Sequence, residues 1–163
     1  MNSTTARATA LVSATPVVAW DAVRRHDPSE FYPRFLVIPA IRAVEPGTGD
    51  WSQVGDRRLL RLERGSVEER LTVTDSPTRL AYELTGFTGF FGLIVDHAAA
   101  RWVFARSAEG TTIEWTYRFA ARRGCGPLVR LLVATVWSRY MRRVLPPIAR
   151  AVDGARPNPA RRS

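Results

Sequence analysis

An arginine, a carboxylate and a phenol on one face of neighbouring strands can orient a carbonyl and move a proton beside it. Arg58, Glu69 and Tyr82 meet that requirement. Along 66–74, Val67, Leu71 and Val73 share a face with Glu69, while Glu68, Arg70, Thr72 and Thr74 share the other. The apolar face is the inner one, so Glu69 points inward. In the preceding segment Leu60 and Leu62 share a face with Arg58. An even loop around Arg64-Gly65 keeps both apolar faces together, pairing Leu62 with Val67 and Leu60 with Glu69. Arg58 is then diagonal to Glu69, roughly 7–8 Å away between backbones, a gap that long side chains bridge. Across the turn at Asp75 to Thr78, Leu71 pairs with Tyr82 and Glu69 with Leu84. The trio has two readings. It fixes the sheet and satisfies itself, contributing little net stability, or it orients the polar end of a ligand and moves protons in an enolisation or dehydration.

The last pair of strands is more apolar. Ile113, Trp115, Tyr117 and Phe119 alternate with Thr112, Glu114, Thr116 and Arg118, and pairing around Ser107 to Gly110 sets Trp102 opposite Trp115 and Phe104 opposite Ile113. Two tryptophans on an inner wall suit a flat polycyclic or polyene ligand, and they equally suit packing against a helix. The ligand-contacting candidates are Leu60, Leu71, Leu84, Trp102, Trp115 and Tyr117 from strands, with Trp137 and Met141 from the last helix. Strand parity puts Asp96 inside and His97 outside, absent a bulge. His26, beside Asp27, reads as an exposed helix-end residue rather than a general base. Tyr32 is within reach of an interior site, with its direction open. Cys125, between Gly124 and Gly126 with no histidine nearby, reads as an inert thiol. The segment GFTGFFG, residues 86–92, lacks the spacing and the strand-to-helix setting of a phosphate loop. It reads as a mobile lid over an apolar entrance, or as a hairpin packing Phe87, Phe90 and Phe91 under the last helix.

These residues need elements to hold them. Residues 8–14 read as a strand; Thr15-Pro16 starts a helix running to about His26, and a short second helix spans about Ser29 to Phe35. From Ile41 to Arg122 the alternation describes a meander of about six strands. Val129, Val133, Trp137, Tyr140, Met141, Val144 and Ile148 then fall at helical spacing, marking one long helix over 126–152 that Pro146-Pro147 should bend or break near its end. Arg139, Arg142, Arg143 and Arg150 on one side of it, with Trp137 and Met141 on another, admit peripheral contact with an anionic membrane. The expected organisation is a flexible segment 1–6, one domain over 7–153, and a disordered Arg/Pro-rich tail over 154–163.

A chain of 163 residues with 45% apolar residues and five tryptophans has the material for one core, and a domain of that size buries roughly 70% of its unfolded surface. All 24 basic residues are arginines and the net charge is +9. They are spread in doublets without a basic block interleaved with aromatics, which argues against nucleic acid as a partner. One cysteine makes no internal disulfide, and no Cys or His cluster offers a metal site, so the sequence calls for neither metal nor cofactor and fits a reducing cytoplasm. No signal-peptide core is present, and the apolar stretch Leu131 to Trp137 is far short of the roughly 20 residues of a membrane span.

The order of elements, with VVAWDAV in the first helix, VGDRRLLRL and VEERLTVTD in the central hairpin, LAYELTG in the next strand and GTTIEWTYRF before the last helix, resembles the SRPBCC superfamily over about residues 7–152. That superfamily includes START lipid-transfer domains, birch-pollen-type allergens, polyketide cyclases and plant abscisic acid receptors. The resemblance implies an α+β helix-grip fold, in which a curved antiparallel sheet of about seven strands wraps a long C-terminal helix. It also implies a cavity between the two for a hydrophobic small molecule such as a polyketide, lipid or polycyclic compound. The receptors' longer gating loop has only Arg64-Gly65 as its counterpart here. Two functions stand as expectations: a polyketide cyclase or dehydratase using Arg58, Glu69 and Tyr82, or a carrier or sensor of lipid or pigment without chemistry. No oligomeric state is read from the sequence.

Overall fold

The computed structural model describes residues 3–155. Its elements are β1 (Ser3–Val12), α1 (Pro16–Arg25), α2 (Pro28–Phe31), β2 (Ile41–Pro46), β3 (Arg57–Leu62), β4 (Ser66–Asp75), β5 (Arg79–Thr85), α3 (Phe90–Ile94), β6 (Val95–Ser107) and β7 (Gly110–Ala121). A continuous helix comes next: α4 (Gly126–Leu132), a π-helical turn (Val133–Trp137) and α5 (Ser138–Asp153). The seven strands form one antiparallel sheet in the order β1-β7-β6-β5-β4-β3-β2. Ala98, Ala100, Trp102 and Phe104 of β6 and Ile113, Trp115, Tyr117 and Phe119 of β7 are buried at every second position. The same face of β5 buries Leu80, Tyr82 and Leu84. Met141, Val144, Leu145, Ile148 and Val152 of α5 close over it. Each such aliphatic side chain contributes about 1.5–3 kcal/mol by leaving water.

The central hairpin has the expected facing but a different register. Arg58 lies directly opposite Glu69 and Leu60 opposite Val67, so the turn is centred one residue earlier than Arg64-Gly65. The turn meets a distant segment: Gly65 adopts φ 103°, and a Cβ there would stand 2.7 Å from the Thr88 carbonyl oxygen. Glycine lets the turn lie against the loop after β5, and the slide of two residues preserves which side chains face inward. The pairs Leu71–Tyr82, Glu69–Leu84, Trp102–Trp115 and Phe104–Ile113 form as expected.

Elsewhere the expectations need correction. β1 begins at Ser3 and pairs with β7 from there, so residues 3–6 belong to the sheet rather than to a flexible segment. Most of the expected tail lies outside the described residues. A bulge between Val95 and His97 shifts the parity of β6. Val95 is thereby buried, and both Asp96 and His97 face outward, their side chains joined at 2.8 Å. Pro146 and Pro147 do not end the helix, which continues to Asp153. The carbonyls they leave without a donor belong to exposed Arg142 and Arg143, where water can serve them. Residues 86–92 form no hairpin: α3 buries Phe91 against Trp137 of the last helix and leaves Phe90 exposed.

His26 also departs from its expected exposed position. It ends α1, with its ring stacked on Tyr32 at 6.1 Å and edge-on to Phe31 and Trp102 at 5.6 and 6.4 Å. Nδ1 donates to the Val23 carbonyl, so neutral Nε2 is an acceptor, buried without a partner among the described residues. Burial is the main reason its pKa falls to about 4; the Val23 hydrogen bond opposes this and the charge of Arg58 adds to it. The unfolded chain takes up a proton near pH 6.5 and the folded chain only near 4. Stability is therefore complete above the upper value and lost as pH falls between them. Urea titrations at pH 7.5 and 4.0 should show His26→Phe losing less stability on acidification than the native chain, by up to about 3 kcal/mol. Equal losses would contradict a buried neutral histidine.

Candidate functional site

The concave face of the sheet and the long helix enclose a narrow cavity. β3 contributes Leu60 and Leu62, β4 Val67 and Glu69, β5 Tyr82 and Leu84, and β7 Tyr117 and Phe119. Trp137 and Tyr140 close it from the helix, Pro28 and Tyr32 from α2 and its end. Ile38, Pro39, Ile41, Phe87 and Phe91 stand at the side where the loops meet. About 60 Å³ is open to the centre of a water-sized sphere. Most of the wall is carbon, and its oxygens come from one carboxylate and four phenols.

Glu69 is 2% exposed, and its Oε2 accepts from Arg58 Nε at 2.6 Å. The cross-strand register that faces the two residues also fixes this bond. Arg58 does not itself line the cavity: its guanidinium lies 3.9 Å from the centre of the Trp51 ring, which caps it from the loop before β3. Trp51 holds a positive φ of 61°, with its carbonyl accepting from Arg24 Nη1 at 3.1 Å. Its ring is 5.9 Å from that of Tyr82. The ion pair is thus covered by an indole on one side and meets the cavity on the other.

Tyr82 Oη accepts from Trp102 Nε1 at 3.3 Å, which leaves its own proton free to donate. Its pKa is pushed up to about 12, first by burial and then by the negative charge of Glu69. Burial is also the first cause raising Tyr32 and Tyr117, with neighbouring phenols and Glu69 adding to it, and it raises Tyr140. At neutral pH all four remain phenols, donors that can hold a carbonyl or alcohol oxygen. Glu69 is the acceptor among them. Such a set can bind a ligand's oxygen, and in the presence of an acidic C–H it can also polarise a carbonyl while a carboxylate accepts the proton.

Of the residues singled out from the sequence, Glu69, Tyr82, Leu60, Leu84, Tyr117 and Trp137 line the cavity together, with Arg58 behind Glu69. Leu71, Trp102, Trp115 and Met141 do not. Leu71 and Met141 are wholly buried in the core. Trp102 and Trp115 stack on each other at 4.7 Å, both 0% exposed, and so face one another rather than a ligand. Met141 and Trp137 point into the protein, which removes the apolar membrane-facing side expected of the last helix. No helix among the described residues is long and apolar enough to cross a membrane. Tyr32, its direction open in the sequence, turns inward. Trp51 is a site residue that sequence reasoning misses, since it sits in an irregular segment with no periodicity to read; Phe91, read from the sequence only as part of a lid or hairpin, reaches the wall from α3, and Tyr140 shows only as part of the helix's apolar spacing. Its position depends on the π turn, where Ser138 Oγ donates to the Val133 carbonyl at 2.9 Å and one extra residue rotates the remainder of the helix.

The family model described as polyketide cyclase / dehydrase and lipid transport matches residues 3–153. Among solved structures, the crystal structure of Ara h 8.0201 has a TM-score of 0.60 and 17% identity, covering 93% of this chain and 96% of that one. The crystal structure of protein MLL2253 from Mesorhizobium loti has a TM-score of 0.65 and 12% identity, covering 93% and 98%. At these identities the likeness is one of fold. A search of curated proteins returns no match. The helix-grip architecture and the SRPBCC resemblance both stand, and over nearly its whole length the chain belongs to the polyketide cyclase / dehydrase and lipid transport family.

Proposed function

We propose that the protein binds a slender hydrophobic molecule carrying a carbonyl or hydroxyl group, with its chain along the apolar wall, its oxygen accepting from Tyr82 or Tyr117, and a hydroxyl, where the ligand has one, donating to Glu69. The observation that carries this reading is the convergence of buried phenols and one ion-paired carboxylate in a cavity otherwise lined by carbon. A cavity of about 60 Å³ is well below the roughly 300–1,000 Å³ of pockets for drug-sized ligands. A single acyl-like or polyketide chain therefore fits the space better than a fused polycycle. With Trp102 and Trp115 stacked on each other, the flat aromatic shelf that would have favoured a polycycle is absent from the wall.

Each phenol–oxygen bond contributes about 0.5–1.5 kcal/mol net. In displacement of an environment-sensitive fluorophore, Tyr82→Phe should weaken decan-2-one by about three- to tenfold and leave decane unchanged. Equal affinities for the ketone in native and variant protein would remove the polar role of Tyr82. Glu69→Gln is a poorer first test, because leaving Arg58 buried without its partner costs about 3–5 kcal/mol of stability.

A second reading, ring closure or dehydration of a polyketone, draws on the family and on Glu69 and Tyr82 sharing one wall. Glu69 would take a proton from the carbon between two carbonyls while a phenol hydrogen-bonds to the enolate oxygen; the enolate carbon would attack a second carbonyl, the protonated Glu69 would return its proton to the alkoxide so formed, and dehydration would then remove a further α-proton and expel that hydroxyl as water. A supplied linear polyketone should then cyclise faster with native protein than with Tyr82→Phe; identical product formation with and without protein leaves binding as the whole function.

A further inference from the structure

Three elements build the loop side of the cavity, and each is apolar on its outer surface as well as its inner one. The tight turn after α2 gives Ile38 and Pro39 to the wall and turns Leu36 and Val37 outward, 67% and 52% exposed. α3 gives Phe91 to the wall and leaves Phe90 and Leu93 at 48% and 72%. The start of the long helix leads to Trp137 and leaves Leu128 and Leu131 at 48% and 61%. These six are two-thirds of the nine large hydrophobic residues exposed among the described residues. Exposed apolar residues scattered singly need no account, whereas a concentration beside a cavity does.

The pieces are physically joined. Leu36, Val37 and Phe90 share a surface groove with Arg34 and Arg64, and Pro39 and Phe91 belong to both the groove and the cavity. α3 is tied to the segment before α4 by Arg122 Nε donating to the Gly92 carbonyl at 2.7 Å. The turn itself argues against a purely structural purpose. Phe35 and Ile38 exchange both backbone hydrogen bonds at 3.0 and 2.9 Å around Leu36-Val37, and Leu36 holds φ 52°. Glycine or asparagine suits that conformation better, and an aliphatic pair at the tip spends its apolar surface on water.

Charge indicates what covers this end. Arg34 and Arg64 share the groove with the apolar tips, Arg122 is bonded to α3, and exposed Arg123 and Arg130 lie within a few residues of Leu128 and Leu131 along the chain; the last four of these arginines belong to no ion pair among the described residues. Opposing them are Glu63, shared by Arg34 and Arg42, and Asp96 beside His97. From this juxtaposition of exposed aliphatic tips, unpaired arginines and the cavity's loop side we infer that this end docks on an anionic lipid bilayer. The aliphatic tips enter the interface, the arginines meet phosphate headgroups, and the cavity opens towards the acyl region. The proposed ligand supplies the purpose of this docking, but the docking itself requires no ligand.

Flotation of the full chain with phosphatidylcholine vesicles, with and without phosphatidylglycerol, tests it. Binding should require the anionic lipid and weaken as salt rises. Leu36→Ser together with Leu93→Ser should reduce it at least about tenfold, while Leu11→Ser, a half-exposed apolar position on β1, should leave it intact; circular dichroism melting confirms that each variant is folded. Tyr82→Phe should bind vesicles as the native chain does, so failure of the ligand reading and failure of this one are separable. Absence of binding, binding unaffected by the double variant, or a Leu36-dependent dimer in place of vesicle association would overturn the inference.

Discussion

A carboxylate taken out of water must find an opposite charge and hydrogen-bond donors, or its burial becomes prohibitive. Glu69 sets that demand in the middle of an apolar sheet, and much of the surrounding structure meets it. The hairpin register places Arg58 directly across from it, Trp51 covers the guanidinium from a loop held by Arg24, and phenols occupy the positions around it. Such a pair adds little net stability compared with well-packed hydrocarbon. The pair therefore has to be accounted for by its place on the cavity wall rather than by stability alone.

The second constraint is geometric. Seven strands bend around one helix, and the helix has to cover their concave face from end to end. Across β1, β6 and the first half of β7 it does so with close packing, where Trp102 and Trp115 fill the space by stacking. Towards β3, β4, β5 and the second half of β7, at Tyr117 and Phe119, the packing opens into the narrow cavity. The π turn falls where the helix passes this region and sets the directions of Trp137 and Tyr140. One end of the molecule is consequently core and the other receptive, and the elements that frame the receptive end carry most of the exposed apolar side chains.

Strand parity makes the inner face legible in the sequence, because a period of two leaves only one arrangement that buries Val67, Leu71 and Leu60 together. Arg58, Glu69 and Tyr82 group for the same reason. What parity does not encode is a change of count: the one-residue displacement of the turn at Gly65 and the bulge after Val95 depend on how Thr88 of the loop after β5 and Ala121 of β7 approach. Nor does it say how far a buried residue lies from the cavity, so Trp102, Trp115, Leu71 and Met141 group with true wall residues. The burial of His26 escapes a reading along the chain because it is created by Tyr32, Phe31 and Trp102, which meet it only in the fold.

The family description joins polyketide chemistry with lipid transport, and the interior has features relevant to both: hydrocarbon walls for a chain and a small group of donors and one acceptor for an oxygen. The common requirement is occupancy. Native mass spectrometry on protein purified from its own host, without detergent or organic solvent, measures that most directly. The expected result is a bound apolar molecule of defined mass, released on denaturation and carrying at least one carbonyl or hydroxyl oxygen. A bare protein that also fails to take up any long-chain ketone, alcohol or acid supplied to it would contradict a ligand-binding interior.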